Sequence, residues 1–476
     1  MSSLAVVDVP SSTRGLPHSI PLLHKDIHED IRLSEANAVA QLPFHEQKRS
    51  IPNGEEPRTG KSFTFRARIQ FFSLCWTLFL AGWSDSSTGP LLPRIQSVYH
   101  VGFAVVSIIF IANCIGFVTG SIANIVLNDK LGFGRVIALG SIAQIVAFSV
   151  MASAPPFPVF AIAYAINGFG ASLEDAQANG FVANYKENAS TKMGILHAAY
   201  GAGALVSPLV ATQFAQSHRW SFHYLTSLAC ATLNTVLLLC IFKFKTQDGE
   251  SDLIEDMLIL TSNHDSECLA QIGQEVEEKE AVGGSKYKEM FKLRALHLLA
   301  FFILVYVGVE VTIGSWIVTY VIHVRHGGPS SGYISAGFFG GLTVGRVVLL
   351  WVNEKIGEQL AIFIYVFLSI GLELVVWLVP SLIGGAVAVS LVGVLLGPIY
   401  PIVMNEAGRI LPRWLLTGCI GWIAGFGQTG SAALPFMTGA IASKTGIKSL
   451  QPLLVSMMGL LVVLWAWVPK GHPRQD

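Results

Sequence analysis

Charged residues are scarce in this 476-residue chain, of which they make up 13%. Soluble proteins carry about 25% charged residues, so this composition excludes an ordinary soluble globular protein. The 31 basic and 31 acidic residues cancel, and this balance gives no electrostatic attraction for nucleic acid. The six cysteines are scattered rather than clustered, which excludes a disulfide framework and a cysteine metal site.

Motifs of enzyme chemistry are lacking as well. The sequence contains no HExxH, CxxC, GxSxG or Walker-type segment, so no motif indicates metal-dependent hydrolysis, acyl transfer or ATP use. We therefore expect a protein that is not an enzyme, has no catalytic residues and holds no metal.

Apolar sequence, in contrast, is abundant, because 52% of the residues are hydrophobic. A helix that crosses a membrane needs about 20 mostly apolar residues. Twelve runs meet this requirement: 68–92, 103–127, 135–153, 157–182, 192–215, 221–243, 294–321, 331–352, 359–379, 381–404, 415–441 and 450–468. The sequence therefore predicts an all-α, polytopic membrane protein with twelve transmembrane helices.

Polar sequence flanks and divides these runs. The N-terminal segment is rich in Pro, Ser and His and lacks the apolar core of a signal peptide, so we expect a flexible tail. An acidic segment that is poor in aromatics separates the sixth run from the seventh, which predicts a solvated linker. The resulting divisions are a tail (1–66), a first six-helix bundle (67–245), the linker (246–292), a second six-helix bundle (293–469) and a short tail (470–476).

Basic residues are distributed unevenly over the segments that join the runs. With a cytoplasmic N-terminus, twelve Lys and Arg residues fall on the inner side and five on the outer side, the bases that flank the linker not counted. Cytoplasmic loops of membrane proteins carry the basic excess. We therefore predict that both termini and the linker are cytoplasmic, with the plasma membrane favoured over the vacuole.

The two halves of the chain are related by an internal repeat. A shift of 225 residues places GFVTGSIANIVLNDKLG (116–132) on GLTVGRVVLLWVNEKIG (341–357) without a gap. The same shift places Asp85 of the first run on Glu310 of the seventh. Chance does not readily preserve spacing across helix and loop together, so we infer two pseudo-symmetric six-helix halves of common origin.

Two six-helix halves joined by a long inner loop resemble the major facilitator superfamily. DKLGFGR (129–135) is similar to that family's loop between helices two and three, with one departure at Gly134, and NEKIG (353–357) is a weaker copy. GWSDSSTGPLLP (82–93) and NGFGASLEDAQAN (167–179) resemble, more narrowly, fungal members of the fucose-permease-like branch. The resemblance implies the major facilitator fold and secondary transport of a small solute.

The loop motif predicts an inner gate. Glycines allow neighbouring helices to approach closely, while the acid and the bases form inner-face contacts that must break as the two halves rock. For Arg346, pairing with Glu310 is the alternative, but its repeat mate Ser121 borders the inner loop, which favours the gate. We assign the gate to Gly116, Gly120, Asp129, Lys130, Gly132, Arg135, Arg346, Glu354 and Lys355.

Two adjacent carboxylates, Glu174 and Asp175, interrupt the fourth apolar run. An Asp at the centre of a membrane helix costs about 2.5–3.5 kcal/mol, so such residues usually face protein or water. We expect Glu174 to exchange a proton or bind a solute hydroxyl in a central cavity. Asp175, beside Asn179 on a neighbouring helix face, then lines the cavity or bonds to another helix. The alternative is that both acids are structural hydrogen-bond partners of adjacent helices.

Asp85 and its repeat mate Glu310 are the other acids within apolar runs that we assign to the cavity. In the branch that the chain resembles, acids in helices one and four are associated with proton-coupled sugar uptake, and Asp85 and Glu174 match those positions. Capping of a distorted helix end is the alternative for Asp85. Because Glu310 lies in a more regular helix, we favour cavity lining for both acids.

Three further side chains complete the predicted site. Aromatic rings suit sugars or aromatic metabolites, although interface belts and core packing account for most membrane aromatics. Tyr200 and Trp316 lie close to the polar motifs and are therefore included, and Gln428 is a polar candidate on the wall of the second half.

These observations predict a secondary transporter that moves a small organic solute by alternating access, coupled to the proton gradient and without a resident cofactor. The solute is sugar-like or a fungal metabolite; export of a secondary metabolite or drug-like compound is an alternative that uses the same cycle. A non-transporting membrane receptor on a transporter scaffold is the alternative from another class. We expect a monomer whose partners are its small-molecule substrate and the lipid bilayer.

Overall fold

The computed structural model describes residues 59–183, 189–242, 289–412 and 415–469. These ranges are almost wholly helical, which confirms the all-α fold predicted from the sequence. The predicted linker lies outside the described residues except for 289–292, and so do residues 470–476 and the predicted N-terminal tail up to residue 58.

Each of the twelve predicted runs coincides with one helical span. The first half consists of α1 (Thr59–Tyr99), α2 (Phe103–Val106) continued by α3 (Ile108–Leu131), α4 (Phe133–Ala152), α5 (Phe157–Ala183), α6 (Ala189–Ala215) and α7 (His223–Phe242). The second half consists of α8 (Arg294–Arg325), α9 (Tyr333–Val348) continued by α10 (Leu350–Ile356), α11 (Glu358–Leu378), α12 (Leu382–Leu396) continued by α13 (Ile399–Ile410), α14 (Leu416–Thr445) and α15 (Leu450–Trp467).

The spans differ in how well they suit lipid. Eight are long and apolar enough to cross a membrane, and α9 with α10 forms a ninth span that is bent by 52°. The remaining long helices of the described chain, α1, α5 and α14, fall short of the same standard of apolarity. Polar membrane helices are tolerated where their polar faces meet protein or water. We therefore expect these three helices to turn their polar faces toward other helices of the chain or toward water rather than toward lipid.

The internal repeat is visible in the backbone. Gly132 and its repeat mate Gly357 both end a helix with positive φ angles, 75° and 85°. Their N–H groups donate to the carbonyls of Asn128 and Asn353, four residues earlier, at 2.9 and 3.0 Å. A positive φ favours glycine, so each half needs glycine at this turn.

Helix packing follows the same repeat. Gly116 of α3 lies against the backbone carbonyl of Ala165 in α5, and its repeat mate Gly341 of α9 lies against the carbonyl of Ser390 in α12. Gly120 and Gly345, one turn further along, make equivalent approaches to α5 and α12. Gly116 and Gly120, which were assigned to the gate, thus pack α3 against α5, and their repeat mates pack α9 against α12 in the second bundle.

Contacts between the two bundles concentrate near one end of the molecule, which we call the closed end. Here the end of α6 meets the start of α9, where Gly332 contacts Thr212 and Gln216 donates a hydrogen bond to the Pro329 carbonyl at 3.2 Å. Gly439 of α14 packs against Ser107 at the start of α3.

The opposite end carries the loop DKLGFGR and its weaker copy, and we call it the open end. Asp129, Lys130 and Arg135 are all exposed there. None of the ion pairs found among residues 59–183, 189–242, 289–412 and 415–469 involves these three side chains. Within the described chain, these loops therefore form no ion pair that would hold the open end shut, and we call the space between the bundles on this side the crevice.

Candidate functional site

Asp85 of α1 lines this crevice. Its side chain is exposed, whereas Trp83 and Ser87 on either side of it are buried. The Asp85 Oδ2 atom accepts a hydrogen bond from the Tyr200 hydroxyl of α6 at 2.9 Å. Gly82 brings the two helices together, because an added Cβ would overlap the Tyr200 carbonyl. The first bundle therefore presents an acid with a single tyrosine donor to the crevice.

The repeat mate of Asp85 has a different partner. Glu310 of α8 forms an ion pair with Arg346 of α9, with 3.7 Å between the Glu310 Oε1 and Arg346 Nη2 atoms. The two side chains are 14% and 26% exposed, respectively, so both have limited access to water. The Arg346 Nε atom is buried and has no hydrogen-bond partner within the described chain.

The two pairs lie within electrostatic range of each other. Asp85 is near enough to Glu310, and Tyr200 to both Glu310 and Arg346, for their charges to influence one another. Asp175 of α5 interacts with Asp85 on its own side and with Tyr400 of α13 on the other. We call this group the central cluster: Asp85, Asp175, Tyr200, Glu310, Arg346 and Tyr400.

The central cluster holds three carboxyl groups but a single guanidinium. Carboxylates that share a poorly solvated site disfavour one another's ionised form, and a neighbouring cation relieves only the one it pairs with. Because Arg346 is paired with Glu310, the acids of the first bundle, Asp85 and Asp175, have hydroxyl and amide partners only.

Asp175 is half-buried, and Asn179, one turn later on α5, donates to its carboxylate Oδ1 and to its backbone carbonyl, each at 2.9 Å. Asp175 and Asn179 therefore form a local pair on the face that meets the central cluster. Both had been assigned to the site from the sequence.

Glu174 faces the other way, which corrects the expectation that it lines the cavity. Its side chain is 2% exposed, and its Oε1 atom accepts a hydrogen bond from Asn234 of α7 at 2.8 Å. The Asn234 Oδ1 atom in turn accepts from Thr77 of α1 at 2.9 Å. Neighbouring helical residues point about 100° apart, so only one acid of an adjacent pair can face the crevice fully. Glu174 is therefore a structural hydrogen-bond partner of a neighbouring helix, which was the alternative for it, and Asp175 lies on the face toward the crevice.

Trp316 and Gln428 also lie outside the central cluster. Trp316 is fully buried, donates to the Pro435 carbonyl at 3.0 Å and packs its ring against Phe103, with 6.0 Å between the ring centroids. The Gln428 carbonyl accepts a weak hydrogen bond from the Cys114 thiol at 3.6 Å. Trp316 therefore belongs to the contact between the bundles. The half-buried Gln428 side chain lies 3.5 Å from the Ser431 hydroxyl of its own helix, and its place in the site stays a prediction.

The gate prediction is corrected for Arg346, which pairs with Glu310 in the central cluster rather than reaching the inner loop. Glu354 and Lys355 are exposed at the open end with the first loop motif. The Lys355 ammonium lies 3.8 Å from the centre of the Trp351 ring, a cation–π contact within α10. In this conformation these residues act within their own bundle.

Two participants were not assigned to the site from the sequence. Tyr400 lies in GPIYP (397–401), between Pro398 and Pro401, and prolines that interrupt a membrane helix are a signal that could have pointed to it. Asn234 is an isolated amide in an otherwise apolar run, and it is fully buried. Within the described ranges, no group of three or more His, Cys, Asp or Glu side chains is arranged to hold a metal ion.

Comparisons with known proteins identify the family. A family model described as Major Facilitator Superfamily matches residues 74–435. The chain is 28% identical over 414 residues to Bypass of stop codon protein 6 of Saccharomyces cerevisiae (strain ATCC 204508 / S288c), covering 84% of this chain and 82% of the yeast protein.

Two further similarities are to proteins named for sugars. Over 392 residues the chain is 23% identical to the glucose/mannose transporter GlcP of Bacillus subtilis (strain 168), covering 81% of this chain and 90% of GlcP. A crystal structure of a D-xylose–proton symporter superposes with a TM-score of 0.65 at 12% identity, covering 85% of this chain and 99% of the symporter. The second likeness concerns the fold alone.

Proposed function

Since the chain belongs to the major facilitator superfamily and is a multi-pass membrane transporter rather than an enzyme, we propose that it couples proton movement to the transport of a small polar organic solute. One observation carries this proposal. Asp85 and Glu310, acids related by the internal repeat, have different partners: Glu310 pairs with the Arg346 guanidinium, whereas the exposed Asp85 carboxylate accepts a hydrogen bond from the Tyr200 hydroxyl.

The coupling follows from the energetics of closing the crevice. Closure at the open end would remove water from the central cluster, and an unpaired carboxylate loses several kcal/mol of solvation on burial. Glu310 keeps Arg346 as its counter-ion, whereas Asp85 keeps only the Tyr200 hydroxyl. The closed state therefore forms most readily once Asp85 has bound a proton, and Asp175 is the second proton-binding group.

The names of two similar proteins support a sugar-like solute, since one is a glucose/mannose transporter and the other a D-xylose–proton symporter. The basic residues at the open end, among them Lys130, Arg135 and Lys355, favour a cytoplasmic location for that end and for both termini. We further propose a monomer in the plasma membrane.

The test is solute flux into proteoliposomes with an imposed pH gradient, with D-glucose as the first probe and gluconate as the second. Asp85→Asn should lose accumulation driven by the gradient, which is up to tenfold per pH unit for one proton per solute. Counterflow, the exchange of labelled for unlabelled solute without a gradient, should persist in this variant.

Glu174→Gln is the matched control. Because Gln keeps the oxygen that accepts from Asn234, this variant should retain both accumulation and counterflow. Gradient-driven accumulation that survives Asp85→Asn would contradict the assignment of Asp85.

A further inference from the structure

Few of the N–H donors of the Arg346 guanidinium have a hydrogen-bond partner among the residues described. Arginine carries five N–H donors in a planar fork, which matches a carboxylate in two parallel hydrogen bonds of about 2.7–2.9 Å. Its contact with Glu310 is a single one at 3.7 Å, and the buried Nε atom has no hydrogen-bond partner among the residues described. Tyr306 is a further hydrogen-bonding neighbour of both side chains. Even so, the guanidinium does not form a two-point contact with Glu310, and its Nε donor is left without a partner.

We infer that the transported solute carries a carboxylate or an equivalent acidic group. When the solute is bound, Arg346 pairs with this group instead of with the Glu310 carboxylate. This inference rests on the proposed function, because it concerns the same crevice. In the structure the Glu310 carboxylate, which also neighbours Tyr306, lies at the position that the acidic group of the solute would take.

The exchange of partners would connect solute binding to proton binding. When the solute carboxylate takes Arg346, Glu310 loses its counter-ion in a poorly solvated site that already contains Asp85. An unpaired carboxylate there is costly, so Glu310 takes up a proton from the water of the crevice. One proton is bound for each acidic group, and the net charge of the site does not change.

Other ionisable groups face this pair from each neighbouring helix. The first bundle contributes Asp85, Asp175, Tyr200 and His197, and the second contributes Tyr306 and Tyr400. The acids in this set disfavour an anion unless they hold protons, which reinforces stronger binding at lower pH. A neutral solute would leave the unpaired donors of Arg346 unused, and a cationic solute would be drawn to Asp85 and Asp175 rather than to Arg346.

The experiment measures binding to the purified full-length protein with three probes that share a six-carbon polyol skeleton. Gluconate is an acid, glucose is neutral and glucosamine is a cation, and lactate with its uncharged amide forms a second matched pair. Binding is followed by the shift in thermal unfolding temperature and by competition. We expect an acid to bind and its neutral or cationic counterparts to bind at least about 30-fold more weakly.

Variants separate recognition from folding. Arg346→Gln should weaken acid binding about 30-fold or more, and Arg346→Lys, which keeps the charge but lacks the fork, should weaken it less. Arg219→Gln removes an exposed guanidinium that packs on Phe222, far from the crevice, and should change nothing. Glu310→Gln imitates the protonated acid, so it should retain acid binding and reduce the loss of affinity at higher pH.

Two outcomes would overturn the inference: no acid in the set binds, or glucose binds equally well to the native protein and to Arg346→Gln. The proposed function fails separately. If acid binding depends on Arg346 but a pH gradient drives no accumulation in proteoliposomes, proton coupling is wrong and the solute class stands. If glucose accumulates with the gradient in both the native protein and Arg346→Gln, proton coupling stands and the acidic solute class is wrong.

Discussion

The Asn234→Ala variant tests whether Glu174 is a structural residue. Asn234 is fully buried and joins three helices of the first bundle, because its amide nitrogen donates to Glu174 of α5 and its oxygen accepts from Thr77 of α1. Thr77 keeps a second acceptor, the Ser73 carbonyl at 3.1 Å, so the substitution deprives Glu174 alone of its only donor.

A buried polar group without a partner costs about 1–3 kcal/mol. Truncation of the Asn234 side chain adds a small cavity, so we expect a total loss of about 2–4 kcal/mol. For a unit of 150–250 residues, which is the size of one bundle, each kcal/mol lowers the unfolding temperature by roughly 2–4 °C. The unfolding temperature in detergent should therefore fall by roughly 4–16 °C.

Thr232→Ala is the matched control on the same helix. Its exposed hydroxyl bonds only to the Leu228 carbonyl within α7 at 2.8 Å, and its loss should change the free energy of unfolding by less than about 0.5 kcal/mol. At a temperature where Asn234→Ala is folded, gradient-driven transport should persist. Loss of coupling with an unchanged unfolding temperature would refute the structural assignment and return Glu174 to the proton path.

Two further predictions concern packing and conformation. Gly116→Val should greatly reduce the yield of folded protein, because a side chain there overlaps the Ala165 carbonyl. Gly180→Ala on α5 has open space around it and should be tolerated. Similar gel-filtration profiles for the two variants would contradict the packing argument. A disulfide between cysteines introduced at Gly332 and Thr212 should hold the closed end shut and stop transport, with recovery on reduction; transport that continues with the cross-link formed would show that this end does not open.

The order of the spans and the central acids could be predicted because both depend on simple chemistry. Runs of about 20 apolar residues have few alternatives to membrane helices. The repeat placed Asp85 and Glu310 at equivalent positions in their helices without any knowledge of packing, and their joint role in a cavity stays a prediction.

Helix rotation could not be predicted in the same way. Glu174 and Asp175 are adjacent, and the sequence does not say which of them faces the crevice. That choice depends on where α5 packs, and the packing is set by contacts such as that of Gly170 with α4 and of Asn234 with Glu174. Arg346 posed a similar problem, because a long side chain near the end of α9 can extend toward the loop or toward Glu310.

The hydrogen bond between Glu174 and Asn234 also constrains the order of biogenesis. The ribosome makes α5 before α7, so the carboxyl of Glu174 emerges well ahead of the amide that satisfies it. An acidic helix without its partner is held poorly by lipid. We expect α5 to remain with the insertion machinery until α7 arrives, so that the first half of the chain enters the bilayer as a group rather than one span at a time.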